Sequence, residues 1–144
     1  MPAWVQQGYA DYAKRLPREL GLYLTEIPLA IRSKTTPPDT ATQKEGEKIL
    51  AAIPTDNFVI ALDVGGNSVS TQHCAIQMAD WRQARHNISF LIGGPDGLAS
   101  ACIKRADAKW SLSAMTFPHA LVRIMLIEQL YRAWTILHNH PYHK

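Results

Sequence analysis

The spacing of apolar residues along the chain predicts alternating helices and strands. Apolar side chains at helical spacing from Trp4 to Leu16 predict a first helix, which Pro17 ends. Ser70 is a plausible N-cap for a later helix that runs through Arg85. Gly65-Gly66-Asn67-Ser68 predicts a turn. The remaining predicted elements are strands at 22–27, 58–62, 88–92 and 110–115 and helices at 40–52, 98–108 and 119–137.

This alternation predicts an α/β fold, in which helices cover a parallel sheet. The strands at 58–62 and 88–92 are apolar on both faces, as strands buried in a parallel sheet are. At 144 residues the chain is expected to form one domain.

The glycine-rich run Gly93-Gly94-Pro95-Asp96-Gly97 follows the strand at 88–92. Glycine has no Cβ, so such a run opens backbone N–H groups to a small ligand. A second break, at Phe117-Pro118, precedes a helix start, where unpaired N–H groups gather. Two such loops at one end of a sheet would form a cofactor crevice. The run is neither G-x-G-x-x-G nor a P-loop, and an ordinary strand-to-helix turn uses the same residues.

Composition and charge argue against a membrane-spanning or secreted protein and bear on its binding partner. No apolar run is long enough to span a bilayer, and no signal peptide opens the chain, so we expect a cytoplasmic protein. Cys74 and Cys102 are expected to be buried free thiols in a reducing compartment rather than a disulfide. The net charge of +3 shifts the expectation slightly towards an anionic partner. Three basic clusters are each expected to be a solvated surface: Lys14, Arg15 and Arg18; Arg32 and Lys34; and His138, His140, His143 and Lys144.

The predicted helix at 119–137 is apolar nearly all round and must be covered on most sides. A homodimer through this helix is favoured over burial within one subunit. Its main charges are Arg123, Glu128 and Arg132, and we expect them to be paired or aimed at a ligand.

The tail, residues 138–144, is rich in histidine, but a metal site is not expected there. The His-x-His-x-x-His spacing fits no common zinc pattern, and no nearby cysteine or carboxylate completes a set. A tail that contacts phosphate or base edges is favoured over a metal site, with Tyr142 available to stack and Lys144 to neutralise charge. His119 follows Pro118 at the start of a predicted helix, and we expect it to be a capping or surface residue.

Several motifs together resemble one known family. They are the run 91–97 (LIGGPDG), the run 111–123 (SLSAMTFPHALVR), the run 128–134 (EQLYRAW) and the run 139–143 (NHPYH), with Leu62-Asp63 and 44–47 (KEGE) in agreement. Across essentially the whole chain the sequence is similar to the ribosomal RNA large subunit methyltransferase H family (RlmH), small SPOUT methyltransferases.

The resemblance implies a parallel-sheet SPOUT (alpha/beta knot) fold with a C-terminal trefoil knot, and an obligate homodimer. It implies an S-adenosyl-L-methionine-dependent enzyme that methylates N3 of pseudouridine 1915 in 23S rRNA on assembled ribosomes. By motif match, the cofactor-binding residues would be Leu62, Gly93, Gly94, Ser113, Ala114, Met115, Thr116, Phe117 and Pro118. The candidates for the base or the polarising cation are His119, Arg132 and His143. Tyr142 and His143 are favoured for shaping the nucleotide pocket and Arg132 for its charge, so the catalytic residues would be His143, Tyr142, Arg132 and His119.

The sequence departs from the family at its start. Family members open with a short strand of the type Met-Lys-Ile-x-Leu-Ile-x-Val-Gly before the first helix, and this first strand is missing here. Two interpretations stand: the natural start lies upstream, or the chain is a truncated and less stable form.

Two other function classes compete with the methyltransferase. A non-catalytic ribosome- or RNA-binding module would suit the basic clusters and the aromatic tail. A nucleotide-binding α/β hydrolase would need a nucleophile or a metal cluster, and neither is evident in the sequence.

Overall fold

Three parallel strands and five α-helices form most of residues 1–143, the part of the chain that the computed structural model describes. This α/β alternation confirms the predicted fold class. Two short 3₁₀ turns, Arg18–Leu20 and Pro141–His143, complete the elements. In chain order the helices and strands are α1 (Ala3–Ala13), α2 (Pro38–Ala52), β1 (Phe58–Ser68), α3 (Thr71–Ala84), β2 (Ile88–Leu91), α4 (Ser100–Arg105), β3 (Ala108–Ser111) and α5 (His119–Leu137).

One compact unit, here the sheet unit, comprises Thr25–Ser68 and His86–Thr116. In it β1 lies between β2 and β3 and runs parallel to both. Burial of apolar area by α2 and α4 stabilises this arrangement. Since all three strands are parallel, their carboxyl ends share one edge of the sheet. The buried core of the unit is formed by Val59, Leu91, Ala99 and Cys102, with Ile49, Leu50, Ile53, Leu98 and Ala106 packed against it.

The other compact unit, here the helical unit, comprises Met1–Leu24, Val69–Arg85 and Phe117–Lys144, of which residue 144 is not described. In it α5 packs against both α1 and α3. A Cβ on Gly8 of α1 would lie 2.9 Å from Ile124 Cδ1 of α5, so a larger residue there would require the Ile124 side chain to shift. The Ser70 hydroxyl accepts a hydrogen bond from His73 N, which confirms the predicted N-cap of α3.

Helix α5 begins and ends where the apolar pattern predicts it. Its buried side chains are Leu126, Ile127, Leu130, Tyr131, Ala133 and Thr135. Leu121, near its start, is 39% exposed in the single chain. The homodimer through this helix, like the C-terminal trefoil knot, stays a prediction.

The strand predicted at 22–27 is wrong, because these residues form irregular backbone. Gly21 turns the chain with a left-handed φ of 54° just before them. Tyr23 is 90% exposed, so the apolar residues of this segment do not line a sheet face. A strand needs a neighbour to pair with, and among residues 1–143 this segment pairs with none.

The turn predicted at 65–68 is also wrong, since these residues continue β1. The pairing between β1 and β3 shifts register there: Leu62 and Asn67 both pair with Trp110. The intervening residues bulge out of the ladder. A Cβ on Gly66 would lie 2.7 Å from the carbonyl carbon of Lys109, so the glycine permits close strand approach rather than a chain reversal.

The predicted helix at 98–108 and strand at 110–115 each have shifted bounds. Helix α4 ends at Arg105 because Asp107 N donates to Val59 O at 2.8 Å, which draws the chain into β3. Strand β3 ends at Ser111, after which side chains satisfy the backbone locally.

Both cysteines are free and buried, as the sequence predicts. Burial raises the pKa of the Cys74 thiol to about 11, and it also raises the pKa of Cys102, so neither thiol is a ready nucleophile. No helix in residues 1–143 has the length and hydropathy needed to cross a bilayer.

Candidate functional site

The predicted cofactor residues of the sheet unit lie within β1 or follow the carboxyl ends of β2 and β3. Leu62 pairs with Trp110 where β1 meets its bulge, in the central strand. Gly93 and Gly94 follow β2 on one side of β1, and 113–116 follow β3 on the other. The fold therefore brings these predicted residues to one edge of the sheet, the edge at which open α/β sheets bind ligands.

The glycine loop, residues 93–97, is closed by its own backbone. Gly97 N donates to Gly94 O at 3.1 Å, and Gly97 has a φ of 80°, which favours glycine. A Cβ on Gly93 would lie 2.6 Å from the carbonyl carbon of Gly97. Gly93 is thus required by the packing of the loop on itself, a role that its sequence did not reveal.

The loop after β3 is held by serine side chains. Ser111 Oγ donates to Ser113 O at 2.9 Å, and Ser113 Oγ accepts from Met115 N at 3.0 Å. These bonds hold the backbone of 111–115 in one conformation and leave Met115 exposed. Phe117 and Pro118 belong to the helical unit, where Pro118 O accepts the first backbone bond of α5, from Val122 N.

An ion-pair network, here the Arg32 clamp, fixes the glycine loop from outside. Arg32 Nη1 and Nη2 donate to the two carboxylate oxygens of Glu45 at 2.7 and 3.0 Å, and Arg32 Nε donates to Asp96 Oδ2 at 2.7 Å. Glu45 also accepts from Ala30 N at 2.9 Å. The clamp joins an irregular segment, α2 and the glycine loop within the sheet unit. Gly94 lies beside this clamp, because its Cβ would approach Glu45 Oε1 at 3.7 Å.

The expectation that Arg32 lies on a solvated surface is therefore wrong. Glu45 is only 6% exposed, and the bonds from Arg32 and from Ala30 N help lower its pKa against the cost of burial. The same carboxylates raise the pKa of Arg32, so the guanidinium stays charged throughout the physiological range.

In the helical unit, Glu128 organises two of the predicted catalytic residues. Arg132 Nε and Nη2 donate to Glu128 Oε1 at 2.9 and 2.5 Å, and Tyr142 Oη donates to the same oxygen at 3.0 Å. The Arg132 guanidinium also lies over the Tyr142 ring, 5.0 Å from its centroid. The structure thus brings Arg132 and Tyr142 together, and it confirms that Glu128 and Arg132 are paired.

His143 is fixed by a buried threonine that the sequence did not single out. Thr135 is fully buried, and its hydroxyl donates to Arg132 O at 2.7 Å. His143 Nδ1 lies 3.2 Å from the same hydroxyl oxygen. Because the single hydroxyl proton is already used, His143 Nδ1 must be the donor in this contact. The neutral imidazole then carries its free lone pair on Nε2.

The other tail histidines pack against aromatic rings. His138 stacks on Trp134 at a centroid distance of 4.5 Å, and His140 meets Tyr131 edge-on at 6.3 Å. No group of three or more metal-binding side chains occurs within residues 1–143. His119 is the first residue of α5, and over the same residues no hydrogen bond or ring contact joins it to Arg132, Tyr142 or His143. Lys144 lies outside the described residues.

Replacing Glu128 with glutamine is expected to lower the free energy of unfolding by about 2 kcal/mol, because Arg132 and Tyr142 lose a shared, charged acceptor. Chemical denaturation measures this loss. The matched control is Glu19→Gln, since Glu19 forms an exposed ion pair with Arg82 at 3.5 Å. The control should cost about 0.5 kcal/mol or less. Equal losses in the two variants would contradict a special role for Glu128.

The residues at the sheet edge suit a ligand that is bound by backbone hydrogen bonds and apolar contacts rather than by charged side chains. Leu62, the two glycines and residues 113–116 carry no acid or base of their own. A group bound there would be held by backbone groups and apolar contacts, which suits a cofactor that brings its own reactive centre.

Comparison with known proteins points to one family over the whole chain. A family model described as "Predicted SPOUT methyltransferase" matches residues 1–143. A protein of Saccharophagus degradans named "Ribosomal RNA large subunit methyltransferase H" is 59% identical over 144 residues, which cover 100% of this chain and 93% of the relative. Proteins of the same name from Teredinibacter turnerae and Pseudomonas fluorescens are 57% and 48% identical, again over 100% of this chain and 93% of each relative.

Proposed function

Because the chain belongs to the SPOUT methyltransferase family, we propose that it transfers a methyl group from S-adenosyl-L-methionine to N3 of pseudouridine 1915 in 23S rRNA, on assembled ribosomes. The observation that carries this proposal is the 59% identity, over the whole chain, to a relative named as a large-subunit ribosomal RNA methyltransferase. The arrangement of the tail supports it, since the transfer to a protonated ring nitrogen needs a base.

S-adenosyl-L-methionine supplies a methyl group on a sulfonium centre that is its own leaving group. The protein therefore has to bind and orient. Leu62, Gly93, Gly94 and the loop from Ser113 to Pro118 would hold the cofactor. The two loops are pre-ordered by their own hydrogen bonds, which lowers the entropy cost of binding.

N3 of pseudouridine bears a proton, which must leave as the new bond between nitrogen and carbon forms. His143 Nε2 is the acceptor for this proton, because Nδ1–H is engaged with Thr135. Tyr142 and Arg132 shape the nucleotide pocket around His143, and Glu128 holds both of them. His119 is a second candidate base at the start of α5.

The same proposal includes the state of the protein in the cell. The chain acts as a homodimer through α5, with a single SPOUT domain over residues 1–144 and a trefoil knot in its C-terminal half. A monomer of this size covers little RNA, so recognition is shared across the dimer. The enzyme works in the cytoplasm, where its ribosomal substrate is.

Mass mapping of 23S rRNA tests the proposal. Ribosomes from cells that lack the protein should lose one methyl group at pseudouridine 1915, and a plasmid-borne copy should restore it. Calorimetry on the purified protein should also detect binding of S-adenosyl-L-methionine. Unchanged rRNA together with no cofactor binding would overturn the proposal and favour the non-catalytic RNA-binding module.

A further inference from the structure

Arg15, just after α1, joins the same aromatic cluster as the tail. Its guanidinium carbon lies 5.1 Å from the ring centroid of Tyr12 and 5.9 Å from those of Tyr131 and Tyr142. The rings of Tyr131 and Tyr142 are themselves 4.6 Å apart. Two guanidinium groups, those of Arg15 and Arg132, therefore contact the ring of Tyr142 within the helical unit.

The two arginines differ in how far their charge is already neutralised. Arg132 gives two hydrogen bonds to Glu128 Oε1. Within residues 1–143, the one carboxylate paired with Arg15 is that of Asp11, at 3.3 Å, and Lys14 holds Asp11 more closely, at 2.8 Å. The hydrogen bond from Lys14 is also the main cause of the lowered pKa of Asp11. One exposed carboxylate thus serves two cations, and a positive charge remains in excess beside the tail.

This excess charge meets the requirements for binding a nucleic-acid backbone. Arginine presents a planar fork of donors that matches a phosphate, and its stacking on tyrosine holds the fork in place. The Arg15 side chain is 38% exposed, so its outer donors reach solvent. Aromatic rings with neighbouring cations are the usual means of binding single-stranded nucleic acid.

We propose that Arg15 binds a backbone phosphate of the substrate RNA, next to the nucleotide presented to His143. The proposal rests on the proposed function, because that function supplies the RNA. In this proposal the positive charge that contacts the RNA backbone is that of Arg15, at the end of α1. The sequence alone had pointed to Arg132 and the tail for this contact.

The salt dependence of RNA binding tests this assignment. The probe is unmethylated ribosomes from cells that lack the protein, and the affinity is measured over a series of salt concentrations. Arg15→Ala should weaken binding about tenfold, as expected for a charge-assisted hydrogen bond. It should also reduce the slope of log affinity against log salt by about 0.7, the value for one phosphate contact on a single strand. Arg15→Lys should retain most of that slope.

The matched control is Arg82→Ala in α3. Arg82 has a comparable surface ion pair, with Glu19 at 3.5 Å, and a comparable exposure of 39%. It should leave both affinity and slope near those of the unmodified protein. An Arg15→Ala variant that keeps the slope overturns the proposal, even if its affinity falls, because lost packing against Tyr142 does not change the number of ions released.

The readout separates this proposal from the proposed function. If the unmodified protein neither binds S-adenosyl-L-methionine nor methylates rRNA, the proposed function fails, while the binding series still decides whether Arg15 contacts phosphate. If the unmodified protein methylates and Arg15→Ala behaves as Arg82→Ala does, only the assignment of Arg15 fails.

Discussion

Replacing Glu45 with alanine is expected to lower the free energy of unfolding by about 2 to 3 kcal/mol and to weaken cofactor binding. The substitution leaves the Arg32 guanidinium and Ala30 N without the carboxylate that both contact. Removing one partner of a buried charged pair costs more than the pair contributes, because the remaining charge stays poorly solvated. Denaturation in urea measures the change in stability.

The effect on the cofactor follows from the link between Arg32 and the glycine loop. Arg32 Nε donates to Asp96 at 2.7 Å while Glu45 holds the other side of the guanidinium, so we expect the contact with Asp96 to weaken when Glu45 is removed. If the freed loop costs about 1.4 kcal/mol to reorder, the affinity for S-adenosyl-L-methionine falls about tenfold. Calorimetry on the folded variant measures this affinity directly.

The stability change should depend on pH in a defined direction. Hydrogen bonds from Arg32 help hold the pKa of Glu45 below its ordinary value of 4.5, so the folded state favours the ionised carboxylate. This contribution to stability is complete above that ordinary pKa and is lost as the pH falls through the lower, folded value. The difference between the unmodified protein and Glu45→Ala should therefore be largest near pH 7 and shrink in acid.

Glu47→Ala is the matched control for this prediction. Glu47 lies on the same helix, α2, but its side chain is exposed. Its removal should change stability by no more than about 0.5 kcal/mol at any pH. If Glu45→Ala unfolds like Glu47→Ala, or if its deficit persists unchanged in acid, the Arg32 clamp does not stabilise the fold.

Local patterns were enough to predict the elements that depend on local interactions. The bounds of α5 follow from the apolar run that begins after Pro118, and the start of α3 follows from the Ser70 cap. The strands at 58–62 and 88–92 were predicted because runs of this length without polar positions are typical of a covered parallel sheet. Each of these signals lies within a few residues of the element that it predicts.

Pairing over long separations could not be predicted in the same way. The residues at 22–27 look like a strand, but a strand exists only where another strand can pair with it. The bulge in β1 depends on how Gly66 meets Lys109, more than forty residues away in the sequence. Nothing in the local pattern distinguishes this close approach from a turn.

The candidate site shows the same division. The glycine loop and the loop after β3 were predicted from residues that lie together in the sequence. The pairing of Arg32 with Asp96 joins residues 64 positions apart, and no local rule reports it. Glu128 and Arg132 are four residues apart on one helix, a spacing that predicts an ion pair. The contact between Thr135 and His143 had no signal in the sequence, since a buried threonine on a helix is common.

Replacing His143 with alanine is expected to lower the methylation rate at saturating substrate by at least about 100-fold, the lower range for the loss of a general base. Affinity for S-adenosyl-L-methionine should change by less than about twofold, because His143 is not among the residues proposed to hold the cofactor. Single-turnover methylation of unmethylated ribosomes measures the rate, and calorimetry measures the affinity. Equal losses in both quantities would contradict the assignment of His143 as the base.

Substitutions at Thr135 test the role of His143 in a second, independent way. Thr135→Val removes the oxygen that accepts from His143 Nδ1 but keeps the shape of the side chain. The ring then loses the bond that fixes its tautomer and orientation, so the rate should fall and its dependence on pH should shift. Thr135→Ser retains the hydroxyl and should restore both.

His138→Ala separates the chemistry of His143 from a general effect of removing a tail histidine. His138 stacks on Trp134, and its Nδ1 lies 2.9 Å from the carbonyl oxygen of the same residue, so its loss alters packing but not the proposed base. It should leave the pH profile of methylation unchanged.

A profile that is the same in Thr135→Val as in the unmodified protein would show that the threonine only packs the tail. A His143→Ala enzyme that keeps full rate would assign the proton to another acceptor, with His119 the next to test.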